Sequence, residues 1–430
     1  MLEQFLPLLR YLMTRDRLYF LLLNIGHFLD HLFMLVFATV AALALNREWG
    51  IGYAELLAYA TPGFFAFGVF ALPAGWLADR WSRDGMMFIF FVGIGLASIL
   101  TSFANSPFQI GLGLFVIGAF AAIYHPVGLA IVTMKWRDTG MRIATNGVWG
   151  NLGVASAALI TGYTVDNGGW RMAFVLPGLF SIGVGVVYLI LRKDGIREEH
   201  RAIVPPSNAK TANPELRALM IRVSAIVFVT AAVSSLIFQS TTFALPKIFD
   251  ERLQGLAEAI SIWFASAPNL ADGGIATTIG ALAFLVFAVA SVAQLVVGKL
   301  LDQYGPRRVF MVVALIQIVF FAAMPGLTDG AAFFVALGFM LGAFGQIPIN
   351  DFMIGKMASG ASRARVYAVR YVVSFSVLAA SLPFIGFVHA NWGFDTLFLV
   401  LAASATILFV VVLLLPRQLP SFEQQMTPAE

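Results

Sequence analysis

Gly75-Trp76-Leu77-Ala78-Asp79 stands between two long apolar runs, and 223 residues later Gly298-Lys299-Leu300-Leu301-Asp302 stands between two more. A second match, Gly118-Ala119-Phe120 with Gly342-Ala343-Phe344, has an offset of 224. One coincidence of this kind is weak. Two at nearly the same offset, each after the corresponding apolar run, mark an internal duplication. The chain reads as two copies of one unit.

Composition says what surrounds those units. Of 430 residues, 60% are hydrophobic and 12% charged, against roughly 45–50% and about 25% in soluble globular chains. A helix that crosses a hydrocarbon core ~30 Å thick needs ~20 apolar residues at ~1.5 Å rise each. Backbone groups in lipid must bond within their own segment, so the apolar runs are helices. They fall near 18–45, 55–78, 85–105, 108–133, 142–166, 170–191, 220–248, 274–301, 307–327, 330–357, 363–390 and 392–416. Breaks such as Asn105-Ser106-Pro107, Asn167-Gly168-Gly169 and Thr328-Asp329-Gly330 punctuate them. The expected architecture is an all-α membrane protein of twelve transmembrane helices in two six-helix, pseudo-symmetric halves. The first half is 1–193, with a short amphipathic segment at its start. A polar linker with Pro205-Pro206 follows at 194–219, and the second half is 220–430. A short helix is expected outside the membrane around Leu256–Phe264.

Charge sets the orientation. With the N-terminus placed in the cytoplasm, Arg10, Arg15, Arg17, Arg80, Arg83, Lys135, Arg137, Arg142, Lys299, Arg307, Arg308, Lys356, Arg363, Arg365 and Arg417 all fall on that side, together with the cluster from Arg192 to Arg222. The other side keeps only Arg47, Arg171, Lys247 and Arg252. This asymmetry follows the positive-inside rule and places both termini in the cytoplasm, and a bacterial inner membrane is the expected location. The absence of cysteine excludes disulfides, thiolate metal sites and thiol catalysis. The net charge of +4 lies in loops. No basic patch with interleaved aromatics is present, so no nucleic-acid partner is expected.

The two loops carry a family resemblance. The first reads Gly75-x-Leu77-Ala78-Asp79-Arg80-x-Ser82-Arg83 and the second Gly298-x-Leu300-Leu301-Asp302-x-x-Gly305-x-Arg307-Arg308. Both are similar to the loop signature of the major facilitator superfamily, G-x-L-x-D-R-x-G-R-[KR], and the chain resembles that family over essentially its whole length. Ser82 stands where the signature has glycine, Asp84 where it has a basic residue, and Gln303 where it has arginine. Span four lacks the arginine, and span five the Gly-Pro pair, of the family's drug exporters. Tyr124-His125-Pro126 is similar to the fosmidomycin-resistance efflux branch. The resemblance implies alternating access, with Gly75, Asp79, Arg80, Arg83, Gly298, Asp302, Arg307 and Arg308 as a cytoplasmic gate. Asp79 and Asp302 each end a span, where an acid meets a neighbouring arginine or a helix N-terminus.

Ionisable residues at membrane depth cost ~2.5–3.5 kcal/mol on the insertion scale, so they face a cavity or a partner. In span one, Asn24, His27 and His31 share a helical stripe and Asp30 adjoins His27. A carboxylate beside an imidazole suits a proton carrier near neutral pH, and Asp30 with His27 is the expected pair. Pro126 cannot donate to the Ala122 carbonyl and should kink span four beside His125. Asp351 and Arg370 are each ~10 Å deep from the same side on adjacent spans. They are expected to pair, as a substrate-binding or switching element. Asn146 aligns with Arg370 at the repeat offset, and Asn151, Gln239, Gln346 and Asn350 complete a midplane set.

His27 and His31 have the i, i+4 spacing of metal ligands but no accompanying glutamate or cysteine motif, so no metal and no cofactor are expected. No catalytic constellation is present, and no Gly-x-x-x-x-Gly-Lys loop for ATP. The expected protein is a monomeric secondary transporter, not an enzyme, whose partners are a small-molecule substrate, protons and the lipid bilayer. The expected activity is export of a small organic molecule coupled to a proton gradient. The alternatives are proton-symport uptake of an organic anion and a non-transporting membrane sensor.

Overall fold

The computed structural model describes residues 15–136, 139–198, 214–266, 274–357 and 360–416. The described chain is helical: α1 (Arg15–Val40), α2 (Tyr53–Arg80), α3 (Arg83–Thr101), α4 (Pro107–Ala121), α5 (Tyr124–Lys135), α6 (Thr139–Gly168), α7 (Met172–Glu198), α8 (Pro214–Arg252), α9 (Gln254–Ser266), α10 (Ile275–Ala323), α11 (Asp329–Met357) and α12 (Gly360–Leu413). A π-helical stretch, Ala41–Leu45, continues α1. The expected amphipathic segment before span one lies outside the described residues.

Ten stretches among the described residues are long and apolar enough to cross a membrane. Two helices are too long to be single spans. α10 has 49 residues, a length of ~74 Å at ~1.5 Å per residue. It turns at Gly305, whose φ of 76° and ψ of 162° are not helical. Only glycine takes such a φ without strain, and Pro306 follows it. α12 has 54 residues and breaks in the same way at Gly393, φ 74°. Counting each as two makes twelve. Span four goes the other way: Pro126 has no N–H for the Ala122 carbonyl, and the helix breaks over Ala122–Ile123 between α4 and α5. α7 runs to Glu198 and α8 starts at Pro214, both within the expected linker at 194–219. The short helix expected around Leu256–Phe264 is present as α9.

Local chemistry explains two departures from the loop signature. Ser82 caps α3: its hydroxyl accepts from the Gly85 N–H at 3.0 Å, the role for which serine is favoured at this position. Asp84 does not stay in the loop. It is buried on the first turn of α3. There it accepts from Tyr19 Oη at 2.7 Å and Tyr188 Oη at 2.6 Å, and from Arg192 Nε at 3.0 Å.

The chain divides into two compact units, one drawn from Met1–Ile51 and Tyr59–Ala202, the other from Gly52–Ala58 and Ile203–Glu430. In the first, α1 packs on α6 and α3 on α7. In the second, α10 packs on α11 and α8 on α12. Phe65, Leu72, Leu100, Phe108, Ile190 and Phe334 are exposed, as side chains that meet acyl chains are.

Candidate functional site

The polar stripe of α1 enters the interior of the first unit. Asn24, His27 and Asp30 are buried. α6 crosses α1 closely because Gly153 has no side chain: a Cβ there would run into the Phe28 carbonyl. One turn away, a Cβ on Gly150 would lie 2.7 Å from His27 Nε2. The two glycines make room for α1 and for the His27 ring, as small residues do at membrane helix crossings.

Asn146 on α6 is the hub. Its Nδ2 donates to Asn24 Oδ1 and to Tyr124 Oη, both at 2.9 Å, and its backbone carbonyl lies 2.8 Å from His27 Nδ1. Tyr124 Oη donates onward to the Leu23 carbonyl at 2.7 Å. The Tyr124 ring stacks on His27 with centroids 4.9 Å apart. His31 Nε2 is 3.1 Å from His27 Nε2. The break at Pro126 turns His125 toward this group, and its Nε2 lies 3.2 Å from Asp30 Oδ2.

This corrects the expected pairing of Asp30 with His27. Neighbouring positions on one helix share a face, but the Asp30 carboxylate meets the imidazole of α5, and His27 is held by α6. The Asp30 side chain is 0% exposed. Neither of its oxygens has a hydrogen bond among the described residues, His125 being close but not aligned for one. A buried polar atom left unpaired costs about 1–3 kcal/mol, and more when charged.

In the second unit, Gln346 and Asn350 are buried. Gln346 Nε2 donates to the Ser234 carbonyl at 3.0 Å, Asn350 Nδ2 to the Gln346 carbonyl at 3.3 Å, and Thr230 Oγ1 to Asn350 Oδ1 at 3.4 Å. Gln317, which the sequence reading passed over, donates to Gln346 Oε1 at 3.0 Å. Its position on an apolar run between aliphatic neighbours was the available signal. Asn151 and Gln239 are half-buried and enter neither network. Asp351 is half-buried. The Arg370 side chain lies outside the described residues, and the expected Asp351–Arg370 pair with it.

Of the residues expected to form a gate, Arg83 pairs with Asp79 one turn away across the loop, and Arg80 sits over the Trp76 ring at 5.0 Å. Gly75 lies against Pro126, where a Cβ would come within 3.3 Å of the proline Cβ. In the second loop Arg307 Nη2 donates to the Leu413 carbonyl at 2.9 Å. Asp302 makes no ion pair among the described residues, and nothing crowds Gly298. The two loops share a sequence pattern but not their contacts. The Asp84 cluster was missed because an acid next to a loop reads as a solvated charge. It borders a cavity of about 200 Å³ lined also by Arg83, Ile131, Met134 and Lys135.

The sequence profile of the Major Facilitator Superfamily matches residues 23–271 and 271–425. A 4-hydroxybenzoate transporter of Pseudomonas putida is 25% identical over 335 residues, 73% of this chain and 71% of that protein. A probable sulfoacetate transporter of Cupriavidus necator is 25% identical over 159 residues, 36% of this chain and 37% of that protein. The chain thus spans little more than a third of the sulfoacetate transporter's length. A solved structure of the peptide transporter POT in complex with sulfate superposes with a TM-score of 0.70 at 14% identity, covering 92% of this chain and 93% of that one.

Proposed function

The chain belongs to the major facilitator superfamily, and on that premise we propose that it carries a small organic anion across the inner membrane by alternating access, coupled to a proton gradient. It is a multi-pass membrane transport protein and not an enzyme. The observation that carries the finer reading is the polar cluster of Asn24, His27, Asp30, His31, His125 and Asn146, buried or half-buried inside apolar helices. It is expensive at membrane depth, and an expensive group there serves a solute path. The imidazoles and amides offer hydrogen-bond donors to an oxyanion, in keeping with relatives named for 4-hydroxybenzoate and sulfoacetate. A proton gradient is the proposed drive because the sequence holds no ATP-cradling loop. The excess of arginine and lysine on one set of loops supports cytoplasmic termini.

A second reading, export of a hydrophobic compound by proton exchange, rests on the Tyr124-His125-Pro126 resemblance to fosmidomycin-resistance proteins. Reconstituted vesicles separate the two. Labelled 4-hydroxybenzoate and sulfoacetate are followed under an imposed pH gradient with the acid side outside. Symport drives the anion inward, and a protonophore abolishes the accumulation. Exchange drives solute outward instead. Flux of neither anion, with or without a gradient, refutes the proposal.

A further inference from the structure

We propose that the imidazoles of His27, His31 and His125 together bind one divalent transition-metal ion of the zinc class. The i, i+4 pair on α1 lacks a third ligand in the sequence, and the tertiary structure supplies it from α5. One ring nitrogen of each histidine lies within 4.8 Å of those of the other two. Zinc–imidazole bonds of about 2.0–2.1 Å in a tetrahedral shell place ligand nitrogens ~3.3 Å apart. His27 Nε2 and His31 Nε2 already stand 3.1 Å apart. An ion there would replace the hydrogen now shared between the two nitrogens. The His125 ring lies edge-on to both, with centroids at 5.2 and 5.5 Å, and closes the third side. Imidazole donors select zinc, copper, nickel or iron over magnesium and calcium, which take oxygen.

His27 has the outer hydrogen bond that a metal-bound histidine requires. A backbone carbonyl only accepts, so the Asn146 oxygen at 2.8 Å holds the hydrogen on His27 Nδ1 and leaves the Nε2 lone pair facing His31. The Asp30 carboxylate lies 3.2 Å from His125 Nε2, close to but not aligned for the hydrogen bond that orients a metal-bound imidazole, and with Nε2 on that side His125 would ligate through Nδ1. Charge agrees. In the form that would bind an ion, three neutral imidazoles and one ionised carboxylate sum to −1, in a site where both Asp30 oxygens lack a hydrogen bond among the described residues. A dication makes the sum +1 and compensates the buried carboxylate. Three protein ligands leave a fourth position. His31 and His125 are only half-buried, so that position opens on their side, where a carboxylate or sulfonate oxygen would complete the shell. Ion binding itself does not depend on the transport reading.

The test uses tag-free full-length protein in detergent, stripped by chelator and titrated with Co²⁺ and then Zn²⁺. The expected result is one ion per chain, with the intense visible absorption of four-coordinate cobalt, lost on zinc addition. His31→Gln or His125→Gln should abolish the band. Asp30→Asn should weaken zinc binding by about 10–100-fold. His389→Gln, whose ring sits 3.0 Å from Glu251 in the other unit, should leave it intact. Binding no tighter than that of a His27→Gln/His31→Gln/His125→Gln variant overturns the proposal. Should the variants fail to fold, X-ray absorption of the zinc-loaded parent chain decides. Three imidazole nitrogens at about 2.0–2.1 Å support the site, and an all-oxygen shell overturns it. Loss of flux with ion binding retained would refute only the transport reading.

Discussion

Replacing Asp84 by alanine tests the packing of the first unit at its most concentrated point. The carboxylate is 4% exposed and its partner guanidinium 22%. Four donor atoms converge on it: Tyr19 Oη, Tyr188 Oη, and Nε and Nη2 of Arg192. These come from α1 and α7, so the acid on α3 joins three helices. Breaking a buried ion pair by removing one partner costs about 3–5 kcal/mol, because the other charge is left uncompensated. At about 2–4 °C per kcal/mol, this corresponds to a fall of roughly 6–20 °C in apparent Tm. Arg192→Ala should cost less, since both tyrosine hydroxyls still serve the carboxylate. The double variant should fall short of the sum by about 0.5–3 kcal/mol, the range for contacting residues. Thermal unfolding in detergent at one fixed scan rate measures all three, the fixed rate being needed because membrane proteins unfold irreversibly. An Asp84→Ala protein that melts within about 2 °C of the parent would refute the reasoning, because a solvated loop acid behaves that way. So would strict additivity.

Gly150→Ala brings a methyl to 2.7 Å from His27 Nε2 and should cost about 1–3 kcal/mol as an overpacked contact. The same vesicle assay should show slower flux, whereas Gly147→Ala, with open space at its Cβ, should not. Tyr124→Phe strips the hydroxyl that bridges Leu23 and Asn146. A destabilisation of about 1–3 kcal/mol should appear in the melting curve, as for other buried groups left unpaired. Ser82→Ala should cost about 1 kcal/mol, and Ser82→Gly only a few tenths, because glycine is tolerated at an N-cap; equal effects would remove the cap from the account. The chain has no cysteine, so single cysteines report sidedness without background. Ser207→Cys should react with an impermeant maleimide from the cytoplasm only and Asn105→Cys from the opposite side only, and the reverse pattern would invert the proposed topology.

Much of the architecture was legible because lipid imposes it. A segment that crosses hydrocarbon must be long, apolar and internally bonded, and those demands are written residue by residue in the chain. The repeat, the twelve runs and the scarcity of ionised groups at depth therefore needed no coordinates, nor did the identity of most cluster members. Even the break in span four followed from Pro126 alone. What the chain by itself left open was who meets whom. Helical spacing assigns a side chain to a face, but the helix that fills that face is chosen by packing. Asp30 lies three residues from His27 in sequence and meets His125 instead, 95 residues on. Asp84 reads as a loop charge until Tyr19, Tyr188 and Arg192 arrive from distant segments to bury it. Gly150 reads as one more small residue until the crossing of α1 and α6 shows that its missing Cβ is the space the His27 ring occupies. Local patterns determine which groups are in the membrane; the close approach of helices far apart in sequence decides which of them become a site.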